Sequence, residues 1–525
     1  MSAWVFARFA DEWRSVAFSA DISHSTPCLK GPDAVFVASE PFVLFDEMRI
    51  PYELSPAQEV PIGRDDLSVV RFADVKAKRE GPSLRRPSAG SRSLVDGGDV
   101  YAYVLDGTPF FARLLHSAWI HRTAETEGWS HAATITDRAG RNVAAVWRQP
   151  DGTLVLPFDP NEAMWNYRRE HYRDLAQASR NNALRERAVW AYYRIRPLLP
   201  RRLQLEMRRA YSRVQTRTAF PRWPYEPALH DLMATLYGYI SEINGSDPPW
   251  ISPWPRPFSW ALVLTHDVET NAGYHRIRPL RAVEEDAGFR SSWNFVPGRY
   301  EVEDAVVREL QTAGFEVGLH GLYHDGRDLE SRAMLTERLP AMRAWAERWG
   351  SVGFRSPATQ RSWELMGLLG FDYDSSYPDS DPYEPQPGGS CSWLPYFIGD
   401  LVELPITLPQ DHTLFVILQH RDPSVWINKA RQLRERGGLA LLLTHPDYMV
   451  DERRLSAYAS FLREFRHGAA PWRALPREVS DWWRRRALSG LEREGEGWKV
   501  TGPASTGALI VHGPPGRHAA LPTSG

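Results

Sequence analysis

From Phe258 onward the chain alternates between short, continuous apolar runs and longer stretches with apolar residues at helical spacing. Runs apolar at every position suit strands buried on both faces, as in a parallel sheet covered by helices. They predict strands at Ala261–Thr265, Ser291–Val296, Phe315–Leu319, Val352–Arg355, Leu401–Ile406 and Leu439–Thr444. The intervening stretches predict helices at Ile277–Ala287, Glu303–Ala313, Ser331–Trp349, Trp363–Leu369 and Val425–Arg436. Repeated βα units of this kind argue for a parallel sheet, either open or closed into a barrel. Asp451–His467 and Glu478–Arg486 read as further helices, followed by a small β appendage and a Gly/Pro-rich tail.

Upstream the pattern is less regular. Strand-like runs stand at Ala34–Ala38, Val100–Leu105, Val143–Trp147 and Thr153–Leu156, while the polar Lys76–Gly98 reads as a flexible loop. The run at 35–39 followed by Phe42–Met48 resembles a strand entering a helix, which predicts an α/β region. Asn161–Gly245 reads as helical and is rich in arginine. Between Arg168 and Arg222 fifteen Arg face four acidic residues, a composition suited to phosphate groups or an anionic membrane surface. Solvated helix faces whose arginines pair with acids elsewhere are the plainer reading. The Pro/Trp-rich stretch 246–257 cannot be helical and marks a boundary. The expected organisation is an N-terminal α/β domain (1–160), an Arg-rich helical region (161–245), a linker (246–257), a catalytic domain (258–470) and a C-terminal helix with a β appendage (471–525).

Composition narrows the functional classes. At 525 residues the chain is too long for one core, and 43% hydrophobic with 24% charged residues excludes wholesale disorder. Lys+Arg 63 against Asp+Glu 65 gives a net charge of −2, so composition offers no argument for nucleic-acid binding. Two cysteines, Cys28 and Cys391, fit a reducing compartment rather than a disulfide scaffold. Charges interrupt the apolar residues at the amino terminus, and no run reaches the ~20 apolar residues of a membrane span. A cytoplasmic protein is expected.

The chemistry lies where the strands end. Leu262–Thr265 runs into His266-Asp267-Val268-Glu269, Glu316–Leu319 into His320-Gly-Leu-Tyr-His324, Val352–Phe354 into Arg355-Ser-Pro357, and Leu439–Thr444 into His445-Pro-Asp447. In a parallel α/β fold these carboxyl ends share one face, where sites form. The His-x-x-x-His spacing places two imidazoles on one side of a turn. With a carboxylate from another strand end they supply two nitrogens and an oxygen, a set suited to Zn²⁺ with one position open. Glu reaches one methylene further than Asp, so either Glu269 or Asp267 can be the carboxylate ligand.

The succession Thr265–Glu269, His320–His324, Arg355–Pro357 and Leu442–His445 resembles the polysaccharide deacetylase family, whose prototype is the nodulation chitooligosaccharide deacetylase. The resemblance covers about Phe258–Tyr448. It implies a distorted (β/α) barrel and metal-dependent removal of acetyl groups from sugars, with Zn²⁺ or another divalent ion such as Co²⁺. It makes Asp267 the base, Glu269, His320 and His324 the metal ligands, Arg355 the residue that holds the base, and His445 the acid. For the family's fourth motif Asp372, Asp374 and Trp393 are the candidates. The stretch Pro405–His412 follows a strand and either adds a wall residue to the site or, as the plainer reading, forms a turn held by Asp411. Trp293, Tyr323, Trp393 and Tyr396 stand near motif ends, where rings stack on sugars or pack in a core.

The expected fold is therefore α/β, a distorted (β/α) barrel preceded by an N-terminal α/β plus helical region. The expected substrate is an N-acetylated saccharide, in the context of surface polysaccharide biosynthesis. The missing signal peptide points to a lipid- or nucleotide-linked form, and the Arg168–Arg222 segment to peripheral membrane association. Two alternatives stay open: an amidase acting on non-sugar C–N bonds, and a degenerate barrel serving as a carbohydrate-binding or assembly module.

Overall fold

A computed structural model describes residues 42–61, 69–78, 81–87, 100–115, 117–177, 200–215, 220–467 and 471–516. The chain divides into two compact units, each assembled from separated segments. One takes in Gln177–Glu226 and Pro257–Trp483; the other takes in Cys28–Ala176, Pro227–Arg256 and Arg484–Gly525.

The second unit is built on an eight-stranded sheet. Its strands are β1 (Glu53–Pro61), β2 (Val69–Lys76), β3 (Leu84–Pro87), β4 (Tyr101–Leu105), β5 (Thr108–Ala112), β6 (Ser130–Asp137), β7 (Asn142–Arg148) and β8 (Leu154–Val155), in the order β1-β2-β3-β8-β7-β6-β4-β5. Only β3 and β8 pair in parallel. The expected βα pattern is thus replaced by a largely antiparallel sheet: one face of such strands can stay wet, so their apolar signal alternates and is weak in sequence. Strand β3 also falls within the stretch expected to be a flexible loop, and the expected strand at Ala34–Ala38 lies outside the described residues. The helix Val43–Met48 is present, and it buries Val43, Leu44, Phe45 and Met48.

The last segment of the chain completes this unit. Strand β9 (Trp250–Ile251) pairs with a strand near the C-terminus, Ile510–Val511, and Arg486 lies buried with its guanidinium donating to the carbonyls of Ile251 (2.6 Å) and Ser252 (2.9 Å).

The first unit carries β10 (Ala261–Val268), β11 (Ser292–Phe295), β12 (Glu316–Leu319), β13 (Gly353–Phe354), β14 (Tyr373–Asp374), β15 (Tyr396–Ile398), β16 (Leu401–Glu403), β17 (Leu439–Thr444) and β18 (Trp472–Arg473). The ladder order is β15-β16-β14-β13-β12-β11-β10-β17, with β18 also on β10. Every pair is parallel except β15–β16. Beyond the ladders, parallel bridges join Leu408 to Leu442 and Pro378 to Ile406. The unit is a mixed α/β structure with helices between most of its successive parallel strands, as the sequence pattern predicts. Ser331 and Asp451 cap their helices by accepting from the N–H groups of Met334 and Arg454. Gly288 and Gly350 end theirs in left-handed conformation.

All eight residues of β10 are buried, and its side chains alternate between two environments. Thr265 and Asp267 face one side. His266 faces the other, where its Nε2 lies 2.7 Å from Glu284 Oε1 and its Nδ1 2.7 Å from Thr444 Oγ1. Ser291 Oγ (2.7 Å) and the Tyr458 hydroxyl also donate to Glu284. This network ties β10 to β17 and to the helices Ile277–Ala287 and Glu452–Glu464. Among the described residues, no helix is long and apolar enough to cross a membrane.

Removing the Glu284 carboxylate leaves three buried donors without an acceptor. Glu284→Ala is expected to destabilise this unit by about 3 kcal/mol or more, read as a shift in its urea unfolding midpoint.

Candidate functional site

Asp267, His320, Arg355 and His445 each sit at the carboxyl end of a parallel strand, so strand pairing brings them together. The ladder continues into the site, because His320 N–H donates to Phe295 O (2.8 Å) and Arg355 N–H to Leu319 O (2.9 Å).

Asp267 is fully buried, and its surroundings compensate the charge. Asn294 Nδ2 donates to its Oδ1 at 2.8 Å, and Arg355 Nη1 reaches the same oxygen at 3.4 Å. Burial pushes this carboxyl up, but His320, Arg355 and His445 together with the Asn294 amide outweigh it and leave it below the usual range. Arg355 is itself fixed. Its Nε donates to Ser375 O (2.6 Å), Nη2 to Ser375 Oγ (2.7 Å) and Nη1 to Thr265 Oγ1 (2.8 Å). The second oxygen, Asp267 Oδ2, lies 3.6 Å from His320 Nδ1.

Glu269, His320 and His324 form a separate cluster in which one ligand atom from each lies within 4.8 Å of the others. His320 is almost wholly buried. Its Nδ1 faces the carbonyl of Arg355 at 3.1 Å, which must accept, so the proton sits on Nδ1. That leaves the Nε2 lone pair, which is buried and has no hydrogen-bond partner. An orphaned imidazole nitrogen beside a second imidazole and a carboxylate fits a divalent metal ion. Burial holds His320 neutral, down to about 4, as a ligand must be. Of the two carboxylates left open in sequence, Glu269 Oε1 lies 3.1 Å from His324 Nε2, whereas Asp267 is engaged by Asn294 and Arg355.

The two imidazoles converge without a helical turn. The segment 320–325 is irregular, with Gly321 (φ 65°) and His324 (φ 55°) both left-handed. A Cβ on Gly321 would lie 2.4 Å from Asp328 Oδ2 and 2.6 Å from the Pro357 ring, so only glycine fits. Asp328 also accepts from Leu322 N–H (3.1 Å), and Arg338 clamps both Asp325 (2.6 Å) and Asp328 (2.7 Å).

His445 is held by a residue that sequence reading placed in a turn. Asp411, fully buried, accepts from His445 Nδ1 (2.6 Å) and His445 N–H (2.8 Å). Burial disfavours the imidazolium, yet Asp411, Glu269 and Asp267 overcome this and push His445 up to about 10. Its Nε2 lies 4.0 Å from Glu269 Oε1. The fourth-motif candidates differ in their surroundings. Asp372 is exposed, Asp374 accepts from Ser376, and Trp393 is buried against Tyr225. The signal for Asp411 was its position after a strand, which alone does not separate an imidazole partner from a turn. Tyr448, whose hydroxyl donates to Glu269 Oε2 at 3.0 Å, was not singled out either. Of the four aromatic candidates Trp293, Trp393 and Tyr396 are buried, and only Tyr323 is exposed, at 49%. Of the described arginines in the Arg168–Arg222 stretch, Arg168 is buried and pairs with Glu47, Arg208 and Arg209 donate to the carbonyls of Tyr383 and Val416, and Arg169, Arg213 and Arg222 are exposed.

Because the folded-state value of His445 is raised, its tie to Asp411 contributes fully below the unfolded histidine value of ~6.5 and fades as pH rises through about 10. Asp411→Asn is expected to remove this alkaline loss. Urea unfolding of both proteins at pH 6 and pH 10 reads it as a stability difference that is larger at pH 6.

No protein-family model matches the chain, and no curated protein matches it. Among solved structures it is similar to a Mycobacterium smegmatis protein described as a polysaccharide deacetylase, at 21% identity and TM-score 0.39 over 46% of this chain and 96% of that one. It is also similar to a probable polysaccharide deacetylase from Pseudomonas aeruginosa PAO1, at 17% identity and TM-score 0.38 over 46% and 96%. A third similar structure is Puue allantoinase, at 18% identity and TM-score 0.37 over 47% and 96%.

Proposed function

We propose that the chain is a metal-dependent hydrolase that removes acetyl groups from N-acetylated saccharides, its parallel strands closing into a distorted barrel across the Leu408–Leu442 and Pro378–Ile406 bridges. The observation that carries this reading is the buried, unpartnered His320 Nε2 beside His324 and Glu269, with Asp267 and His445 within 4 Å of that cluster.

An amide carbonyl is a poor electrophile, and its amine leaves badly unless protonated. Glu269, His320 and His324 would hold a divalent ion, Zn²⁺ or Co²⁺, which when bound supplies Lewis acidity and a water far more acidic than bulk. Asp267 serves as the base. Its Oδ1 is occupied by Asn294 and Arg355, so Oδ2 is the oxygen that takes the proton. Arg355 keeps the carboxylate ionised and aimed. His445 carries its proton at neutral pH and delivers it from Nε2 to the departing nitrogen, while Asp411 holds Nδ1. A lipid- or nucleotide-linked precursor of surface polysaccharide is the extension of this reading, and the arginine-rich stretch is compatible with a diphosphate lipid carrier.

Purified protein with Zn²⁺ or Co²⁺ is expected to release acetate from N-acetylated oligosaccharides, and chelation to abolish the release reversibly. Asp267→Asn and His445→Gln should each lower kcat by roughly 10²–10⁴-fold with metal retained. His320→Ala and His324→Ala should lose the metal itself. Metal-loaded protein that releases no acetate across a broad panel would overturn the deacetylase assignment.

A further inference from the structure

Glu269 carries one methylene more than an aspartate would at this strand end, so its carboxylate has one more torsion to fix before it can ligate. We propose that Tyr448 is the positioning residue that fixes it, holding one carboxylate oxygen so that the other faces the metal position. This rests on reading Glu269, His320 and His324 as ligands.

The two oxygens of Glu269 are differently engaged. Tyr448 donates to Oε2 at 3.0 Å, whereas Oε1 faces His324 Nε2 at 3.1 Å and His445 Nε2 at 4.0 Å. The phenol therefore occupies the oxygen directed away from the imidazoles and favours one-oxygen ligation. Tyr448 is itself immobilised. Its ring lies 4.7 Å from that of His412 and 5.2 Å from that of His445, and its N–H donates to His445 O at 2.9 Å. The preceding residue secures the backbone of the same glutamate: Asp447 Oδ2 accepts from Glu269 N–H at 3.0 Å, and Oδ1 accepts from Thr270 Oγ1. A Cβ on Gly273 would lie 2.1 Å from Asp447 Oδ2, so the chain leaves room for this carboxylate. The segment after His445 thus grips Glu269 at both its main chain and its side chain. Partners of this kind around metal ligands are worth about 10- to 100-fold in metal affinity.

The test is Tyr448→Phe, which removes one oxygen and keeps the ring, alone and combined with Glu269→Asp. Zn²⁺ affinity is measured by competition with a chromogenic chelator, and the visible absorption of the Co²⁺-loaded protein is recorded. Tyr448→Phe is expected to bind Zn²⁺ about 10- to 100-fold more weakly and to shift the Co²⁺ bands, with the far-ultraviolet circular dichroism of the metal-free protein unchanged. In the Glu269→Asp background, where the shorter carboxylate no longer reaches the phenol, the added loss should shrink to less than twofold. Wild-type affinity and an unshifted Co²⁺ spectrum in Tyr448→Phe overturn the role of Tyr448 alone. Equally negligible metal in wild type and His320→Ala overturns the metal reading, and the role of Tyr448 with it.

Discussion

An ionised carboxylate cannot be buried without donors, and Asp267 obtains them only because three strands meet. β10 supplies the carboxylate, β11 supplies Asn294, and the residue after β13 supplies the Arg355 guanidinium. A shift of one residue in β10 would exchange Asp267 for His266 and put the histidine, now bonded to Glu284, among these donors. The two faces of one strand therefore carry incompatible demands, and both are met in a single register. The His266–Glu284 network on the far side and the Asp267–Arg355 pair on the near side enforce the same alignment.

The site separates three carboxylates by their surroundings. Asp267 is ionised by cations and an amide, two of which engage a single one of its oxygens. Glu269 is divided between a phenol and an imidazole. Asp411 spends itself on His445, where it keeps a buried imidazole charged. Opposite fates of two buried histidines follow from the same logic. Burial keeps His320 neutral with its Nδ1 on a carbonyl, whereas at His445 the Asp411 carboxylate outweighs burial and holds the proton. Placement by strand ends is common to all of them; function is assigned by the next neighbour.

Much of this was legible in the sequence, for a physical reason. Strands buried on both faces write continuous apolar runs and the helices that cover them a helical spacing, so Leu439–Thr444 and Ile277–Ala287 are found where expected and their neighbours within a few residues. The polar residues that end those runs were legible for the same reason. What stayed hidden depended on the third dimension. Asp411 reaches His445 across 34 positions, and Tyr448 reaches Glu269 across 179. Neither distance leaves a local pattern. The convergence of His320 and His324 was read from their spacing, but the left-handed Gly321 and His324 produce it rather than a regular turn. In the other unit, strands such as β1, β2 and β6 lack continuous apolar runs, and a mostly antiparallel sheet was taken for α/β.

The return of the chain to finish the second unit bears on biosynthesis. Trp250 and Ile251 pair with Val511 and Ile510, and the carbonyls of Ile251 and Ser252 wait for the Arg486 guanidinium. During vectorial translation these partners emerge only after the whole segment Pro257–Trp483 has left the ribosome. The unit that holds the eight-stranded sheet is begun first and completed last, so an abortive nascent chain ending within Pro257–Trp483 would leave β9 and the carbonyls of Ile251 and Ser252 without these partners.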